Sequence, residues 1–266
     1  MISDISITNY KSLRYQKFAV ARVNVFFGGD DSGKTNLLEA VGMAAAAHDD
    51  ASDVANLLKR GVRCVEPRMM FHAPDGKAEA EEIEIIWHER NSSKKAKLVC
   101  ENPEDPGASW KDISWFEPAY IAKVNELISF ISNGSIEDQY PFADQTKNTV
   151  LNAAFRGSRN FRDYVIFNAL TENKILELFA DNTPPAFFAI DNIETLLAPD
   201  NFSSVINAIS PMAEKHNKQV LITTNQPAII RGMNLNDPVL KLFHLERTEE
   251  GQTIVKELTD KTLIEK

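Results

Sequence analysis

The apolar positions of this chain fall mainly into short unbroken runs, with a looser mixed pattern in the middle. Residues 23–27, 187–191 and 219–224 are such runs, rich in β-branched and aromatic side chains. Runs of that length without alternation predict strands buried on both faces. Between the second and third, Val205, Ile206, Ile209 and Met212 recur at helical spacing, and a polar Lys-His-Asn-Lys turn follows. Strand, helix and strand in that order predict a βαβ unit with parallel strands and a right-handed crossover. Residues 36–47 predict another helix shortly after the first run.

The middle of the chain has a different texture. Residues 51–59 predict a helix, and residues 68–72, 82–88, 96–100 and 110–116 predict strands separated by polar turns. Successive strands of this kind predict an antiparallel sheet. Residues 119–132 predict a helix, residues 133–148 are polar and irregular, and residues 155–179 predict a helical stretch. Residues 239–258 predict a hairpin turning at Glu249, Glu250 and Gly251. No long heptad run appears, so no coiled-coil arm is expected.

The turn after the first apolar run carries the clearest candidate chemistry. Gly28-Gly29-Asp30-Asp31-Ser32-Gly33-Lys34-Thr35 fills the template G-x-x-x-x-G-K-[ST], between a predicted strand and a predicted helix that opens near Asn36. A loop with glycines at both ends can curl so that backbone N–H groups converge on phosphate oxygens. Lys34 then neutralises the outer phosphates, and the Thr35 hydroxyl ligates Mg²⁺. The helix adds its dipole and its unpaired first-turn N–H groups. Far downstream, Phe187-Phe188-Ala189-Ile190 ends in Asp191, the acid expected to hold Mg²⁺. In parallel sheets ligands sit beyond the carboxyl ends of the strands. Gly28, Asp191 and Asn225 all fall at such ends, so one phosphate site is expected to gather them. Asp30 and Asp31 place two carboxylates inside an anion-binding loop, and turn chemistry is the expected use of both.

Composition narrows the alternatives. The chain has 266 residues, 43 % of them hydrophobic, enough for one large core, or for one core with a lobe. A net charge of −9 argues against tight sequence-independent nucleic-acid binding. Basic residues do cluster at Lys59, Arg60, Arg63 and Arg68 and again at Lys94, Lys95 and Lys97, so nucleic-acid contact stays open without being indicated by charge. Cys64 and Cys100 lack metal-site spacing, and reduced thiols are expected. No apolar run approaches the length of a membrane span, and a cytoplasmic protein is expected. The five histidines are scattered and predict no metal site.

The quoted segments resemble a known class. The opening Ile5-Ser-Ile-Thr-Asn-Tyr-Lys-Ser-Leu13, the loop Gly28 to Thr35 with Asn36-Leu-Leu-Glu-Ala, the run Phe187 to Glu194 and the run Val220 to Ile230 resemble SMC/RecF-like, ABC-class ATPase heads. The nearest likeness is to stand-alone AAA-type ATP-binding proteins allied to the OLD (overcoming lysogenization defect) family. It covers residues 1–50 and 150–245. The resemblance implies an α/β P-loop NTPase head: a mainly parallel core sheet (1–50 and 150–245), an inserted antiparallel β/helical lobe (51–149) and a C-terminal hairpin (239–258), in one domain spanning 1–266. It implies ATP and Mg²⁺ as ligands, with Gly28, Gly29, Asp30, Asp31, Ser32, Gly33, Lys34, Thr35 and Asn36 around the phosphates, and with Thr35 and Asp191 on the metal.

Two departures bear on catalysis. The position after Asp191 is usually a Glu that activates water; here it is Asn192, whose amide cannot accept a proton. The histidine that commonly follows the Thr-Thr pair is Asn225, which hydrogen-bonds but does not titrate. Glu194 is the alternative carboxylate, so Asp191, Asn192, Glu194 and Asn225 form the candidate catalytic set. In the loop, Asp31 matches the usual Asn-Asp of OLD-like proteins and Asp30 departs from it. The nearest candidate for the Ser-x-Gly segment that closes on a second subunit's nucleotide is Phe155-Arg156-Gly157-Ser158-Arg159.

The resemblance also implies partners: a homodimer or larger assembly of ATP-bound heads, and an effector protein regulated by ATP, in bacterial anti-phage defence or a toxin–antitoxin system. Two function classes stay open, a slow ATPase and a non-hydrolysing nucleotide sensor or scaffold. A GTPase is disfavoured because Asn217-Lys218 is followed by Gln-Val rather than completing a guanine motif. A hexameric motor is disfavoured by the long insertion between Lys34 and Asp191.

Overall fold

A computed structural model describes residues 1–49, 52–74, 81–89, 92–105, 107–114, 159–197 and 201–259. The chain opens with β1 (Ile2–Tyr10), β2 (Leu13–Ala19) and β3 (Val23–Phe27), followed by helix α1 (Lys34–His48) and the short α2 (Val54–Lys59). β4 (Glu82–Glu89), β5 (Ser92–Cys100) and β6 (Trp110–Asp112) come next. The last part holds α3 (Arg159–Arg162), β7 (Ile166–Asn168), α4 (Glu172–Phe179), β8 (Phe187–Asp191), α5 (Phe202–Lys215), β9 (Gln219–Thr224), α6 (Pro227–Gly232), β10 (Leu240–Arg247) and β11 (Thr253–Leu258).

Two sheets form. One is antiparallel, in the order β2-β1-β4-β5-β6. The other runs β11-β10-β3-β9-β8-β7, with every neighbouring pair parallel except the β10/β11 hairpin. The first two strands therefore pair with those of the middle segment. The sheet of that segment is completed from the N-terminus.

Burial explains the two sequence textures. Strands β8 and β9 are buried at every position, because helices cover one face of their sheet and α1 covers the other. Phe187 and Ala189 face the cluster shared with α1, while Phe188 and Ile190 face the cluster shared with α4, α5 and α6. β4 alternates, with Ile83, Ile85 and Trp87 buried against α1 and the intervening residues partly exposed. Helix α1 lies between the sheets and is buried nearly throughout, including the run Ala44–Ala47. It therefore shows no amphipathic stripe.

Several local expectations change. Residues 68–72 form no strand: a 3-10 turn runs Pro67–Met70, and Phe71 makes a single bridge to Tyr10. Pro67 presets the turn and supplies no N–H to a ladder. The predicted helix at 51–59 begins at Val54, because the Asp53 carboxylate accepts the Asn56 N–H at 3.0 Å as an N-cap. The predicted helical stretch at 155–179 is interrupted by β7, which pairs in parallel with β8. Its three residues are too few to show a strand period in the sequence. The fourth predicted strand of the middle segment, 110–116, is a strand over Trp110–Asp112. The helix predicted at 119–132 lies outside the described residues.

Candidate functional site

The loop from Gly28 to Gly33 joins the end of β3 to the start of α1, with the Gly28 N–H donating to the Thr224 carbonyl at 3.3 Å. Two of its glycines are sterically required. A Cβ on Gly28 would lie 2.4 Å from the Leu245 carbonyl oxygen. Gly33 has φ +94°, and a Cβ there would lie 2.0 Å from Thr253 Oγ1. Gly29 has open space on its Cβ side. Asp31 takes a positive φ of 61°, a turn conformation that Asp tolerates.

Lys34 is 6 % exposed and donates from Nζ to the Gly28 and Gly29 carbonyls at 2.9 and 2.7 Å. Burial lowers its pKa, while Asp30, then Glu194, Asp191 and Asp31, push it back up. Four carboxylates therefore stand around one ammonium.

Thr35 Oγ1 donates to Asp191 Oδ2 at 2.8 Å, and Thr223 Oγ1 donates to Asp191 Oδ1 at 2.5 Å. The Asn192 N–H donates to Thr223 Oγ1 at 2.8 Å. Asn192 has φ 51° and ψ 62° and starts a 3-10 turn, Ile193–Leu196. That turn brings Glu194 back, so that its Oε1 accepts the Asn225 N–H at 3.0 Å. Asn225 Nδ2 donates to Asp30 Oδ1 at 3.1 Å.

The loop, Asp191, Glu194 and Asn225 are thus joined directly or through one intermediate residue. Asn36 is bonded on another side: it donates from Nδ2 to Ser12 Oγ at 2.8 Å and accepts from Arg63. Thr223 was not singled out in the sequence, although it is the first Thr of the pair at the end of β9. The Asp30–Asn225 contact was also missed, since it joins residues far apart in the chain.

A second cluster borders the loop. Glu39 on α1 is fully buried. It accepts from Lys11 Nζ at 2.7 Å and from Arg63 Nε at 2.6 Å and the Arg63 N–H at 3.0 Å. The hydrogen bond to Glu39 raises the Arg63 pKa further. Lys11, Asn36 and Arg63 line a groove of about 960 Å³ together with the apolar Val65, Met69 and Phe71. Four of the other basic residues noted in the sequence are ion-paired: Arg60 with Asp49, Arg68 with Glu66 and Glu104, Lys95 with Glu84, and Lys97 with Glu82.

The donor chemistry suits Mg²⁺. A hydroxyl and a carboxylate are hard oxygen ligands, and Mg²⁺ takes few protein ligands and keeps several waters. Among the described residues no group of three or more His, Cys, Asp or Glu forms a metal-only cage. No helix among them is long and apolar enough to cross a membrane. The candidate closing segment at 155–158 lies outside the described residues, as does the Arg159 side chain.

No family model matches the chain, and no curated protein matches it. Among solved structures it is similar to the SMC head domain from Thermotoga maritima, with 12 % identity, a TM-score of 0.52 and coverage of 97 % of this chain and 98 % of that one. It is also similar to the Smc head domain with an extended coiled coil bound to the C-terminal domain of ScpA derived from Pyrococcus furiosus, with 11 % identity, a TM-score of 0.49 and coverage of 99 % and 98 %. The chain has the fold of an SMC head domain.

Proposed function

We propose that this chain binds ATP with Mg²⁺ at the Gly28–Thr35 loop and hydrolyses it slowly, as an ABC-class ATPase head. The observation that carries the reading is the hydrogen bond from Thr35 Oγ1 to Asp191 Oδ2, at 2.8 Å, immediately beside the buried Lys34. It joins the threonine that follows the loop to the acid that ends β8, two strands away from β3 in the sheet. Mg²⁺, when bound, supplies charge neutralisation on the outer phosphates. Thr35 and Asp191 are the residues that would hold it. Lys34 brings its ammonium to the outer phosphates, where burial strengthens its attraction for them. The groove beside the loop, apolar at Val65, Met69 and Phe71 and lined by the Glu39-paired Lys11 and Arg63, offers room for the remainder of a nucleotide.

In the chemical step the chain must position a water and accept its proton. Asn192 positions without accepting. Glu194 is the proposed acceptor. Its Oε1 is fixed by the Asn225 N–H, and its Oε2 is buried with no hydrogen-bond partner among the described residues. Asn192 favours a second reading, a nucleotide-binding module that senses or scaffolds without turnover. Steady-state hydrolysis of ATP by the purified chain separates the two, with Lys34→Ala excluding contamination. Turnover that Lys34→Ala removes supports the ATPase; ATP binding without turnover supports the sensor.

The wording of the motifs supports a stand-alone, OLD-allied head, and with it a cytoplasmic protein that works as a dimer or larger assembly and regulates a partner effector. Anti-phage defence or a toxin–antitoxin system is the setting proposed for it. These last steps rest on resemblance, and function is argued from sites rather than folds. Co-purification of the chain with its partner is the test.

A further inference from the structure

The phosphate loop is held from outside by a directional chain of hydrogen bonds. Thr253, at the start of β11, is fully buried. Its Oγ1 lies 2.7 Å from Ser12 Oγ and 2.9 Å from the Ser32 carbonyl oxygen. Its backbone N–H donates to the Ser12 carbonyl at 2.7 Å. A carbonyl only accepts and an amide nitrogen only donates, whereas each hydroxyl has one proton to give. Those constraints set the direction throughout. Asn36 Nδ2 donates to Ser12 Oγ, Ser12 donates to Thr253 Oγ1, and Thr253 donates to the Ser32 carbonyl. The Asn36 amide is oriented for this, since its Oδ1 faces Arg63.

The end of this chain has a consequence for the loop. In a trans peptide unit the carbonyl and the N–H point in opposite directions. Holding the Ser32 carbonyl toward Thr253 therefore turns the Gly33 N–H away from Thr253. Gly33 sits at φ +94°, and the space where its Cβ would lie is occupied by the Thr253 hydroxyl. Arg247, across the same hairpin, donates to the Asp31 carbonyl at 3.3 Å and braces the neighbouring peptide.

We infer that Thr253 is a positioning residue of the nucleotide site, which acts through the Ser32–Gly33 peptide to present the Gly33 N–H to phosphate. The inference rests on the nucleotide-binding reading above and assigns to the C-terminal hairpin a part in that site. It also accounts for Asn36, which the sequence placed near the phosphates, and for Ser12, to which Asn36 is bonded. They are links of the chain that ends on the loop.

The experiment compares Mg-ATP affinity by calorimetry for the full-length chain, Thr253→Val and Thr253→Ser, each well below its melting temperature. Amide hydrogen exchange of the ligand-free proteins is followed in parallel. Valine keeps the bulk and removes the hydroxyl; serine keeps the hydroxyl. Expected are at least a tenfold loss of affinity in Thr253→Val and recovery to within threefold in Thr253→Ser. Faster exchange is expected in residues 29–34 of the valine variant, with β10 unchanged. ATP affinity of Thr253→Val within twofold of the original, or a serine variant as weak as the valine one, would overturn the assignment. If the original chain binds no ATP, the nucleotide reading fails. Exchange in residues 29–34 then still decides the positioning role, and an unchanged rate in Thr253→Val overturns it.

Discussion

Glu194 Oε1 accepts the backbone N–H of Asn225 at 3.0 Å, which links the turn after one strand to the residue that ends the next. The same carboxylate contributes to the charge around Lys34, second only to Asp30. A carboxylate therefore stands close enough to Lys34 to act on its charge although the position after Asp191 is an amide.

Hydrolysis is expected to be slow, below about 1 s⁻¹, because Glu194 reaches the site from a turn rather than from the strand end. Glu194→Gln keeps the shape and the Asn225 contact but removes the proton acceptor. It should lower single-turnover hydrolysis at least tenfold while ATP affinity stays within threefold. Asn192→Glu should raise the rate. Rapid-quench measurements at saturating ATP check both; a Glu194→Gln rate equal to the original removes Glu194 from the chemistry.

Lys34→Ala should weaken ATP binding at least tenfold, about 1.4 kcal/mol. The Lys34 pKa lies below the ordinary lysine value because of burial. ATP affinity should therefore begin to fall with rising pH earlier than an ordinary lysine would allow, since binding needs the charged form. In stability the sign is opposite. A depressed lysine pKa disfavours the fold at neutral pH, and that cost lessens as pH rises through it. Calorimetric titrations of ATP across alkaline pH, with Lys34→Arg as the comparison, read out the binding limb. The arginine variant should lack it.

The sequence carries one G-x-x-x-x-G-K-T loop, and on the proposed ATPase-head reading a second subunit is needed to enclose the nucleotide. ATP with Mg²⁺ is expected to shift the protein toward a dimer or a partner-bound assembly, and Ser158→Arg to prevent it. Light scattering with and without a slowly hydrolysed analogue is the measurement. A monomer under all conditions, alone and with the co-purified partner, counts against the assembly and favours the sensor.

Glu39→Ala should destabilise the fold by about 3 kcal/mol, because it leaves the Lys11 ammonium, 13 % exposed, without its buried partner. Arg63 is 63 % exposed and should contribute little of that loss. Urea denaturation of Glu39→Ala, compared with Glu39→Ala combined with Lys11→Met, checks the origin of the cost. The second change should recover part of it.

The loop and its strand–helix context were legible in the sequence because their requirements are local. The left-handed turn at Gly33 needs a glycine, and a parallel strand buried on both faces needs an unbroken apolar run such as Phe187 to Ile190. The hairpin was legible for the same reason, with Gly251 at φ +77° in its turn. Local periodicity failed where an element was too short to show a period, as in β7, or where one proline decided the outcome, as in Pro67–Met70.

What the sequence determined by itself was thus the glycine-rich turn between β3 and α1, the acid at the end of β8 and the parallel run of strands around them. The tertiary structure alone decided which residues steady that loop. Thr253 meets Ser32, Asp30 meets Asn225, and Glu39 meets Lys11 and Arg63, through contacts between elements distant in the chain. No spacing rule encodes such contacts. At Thr253 and Glu39 they arise because a buried polar group, cut off from water, must find a partner, whereas Asp30 and Asn225 meet at the surface where the fold brings the ends of β3 and β9 together.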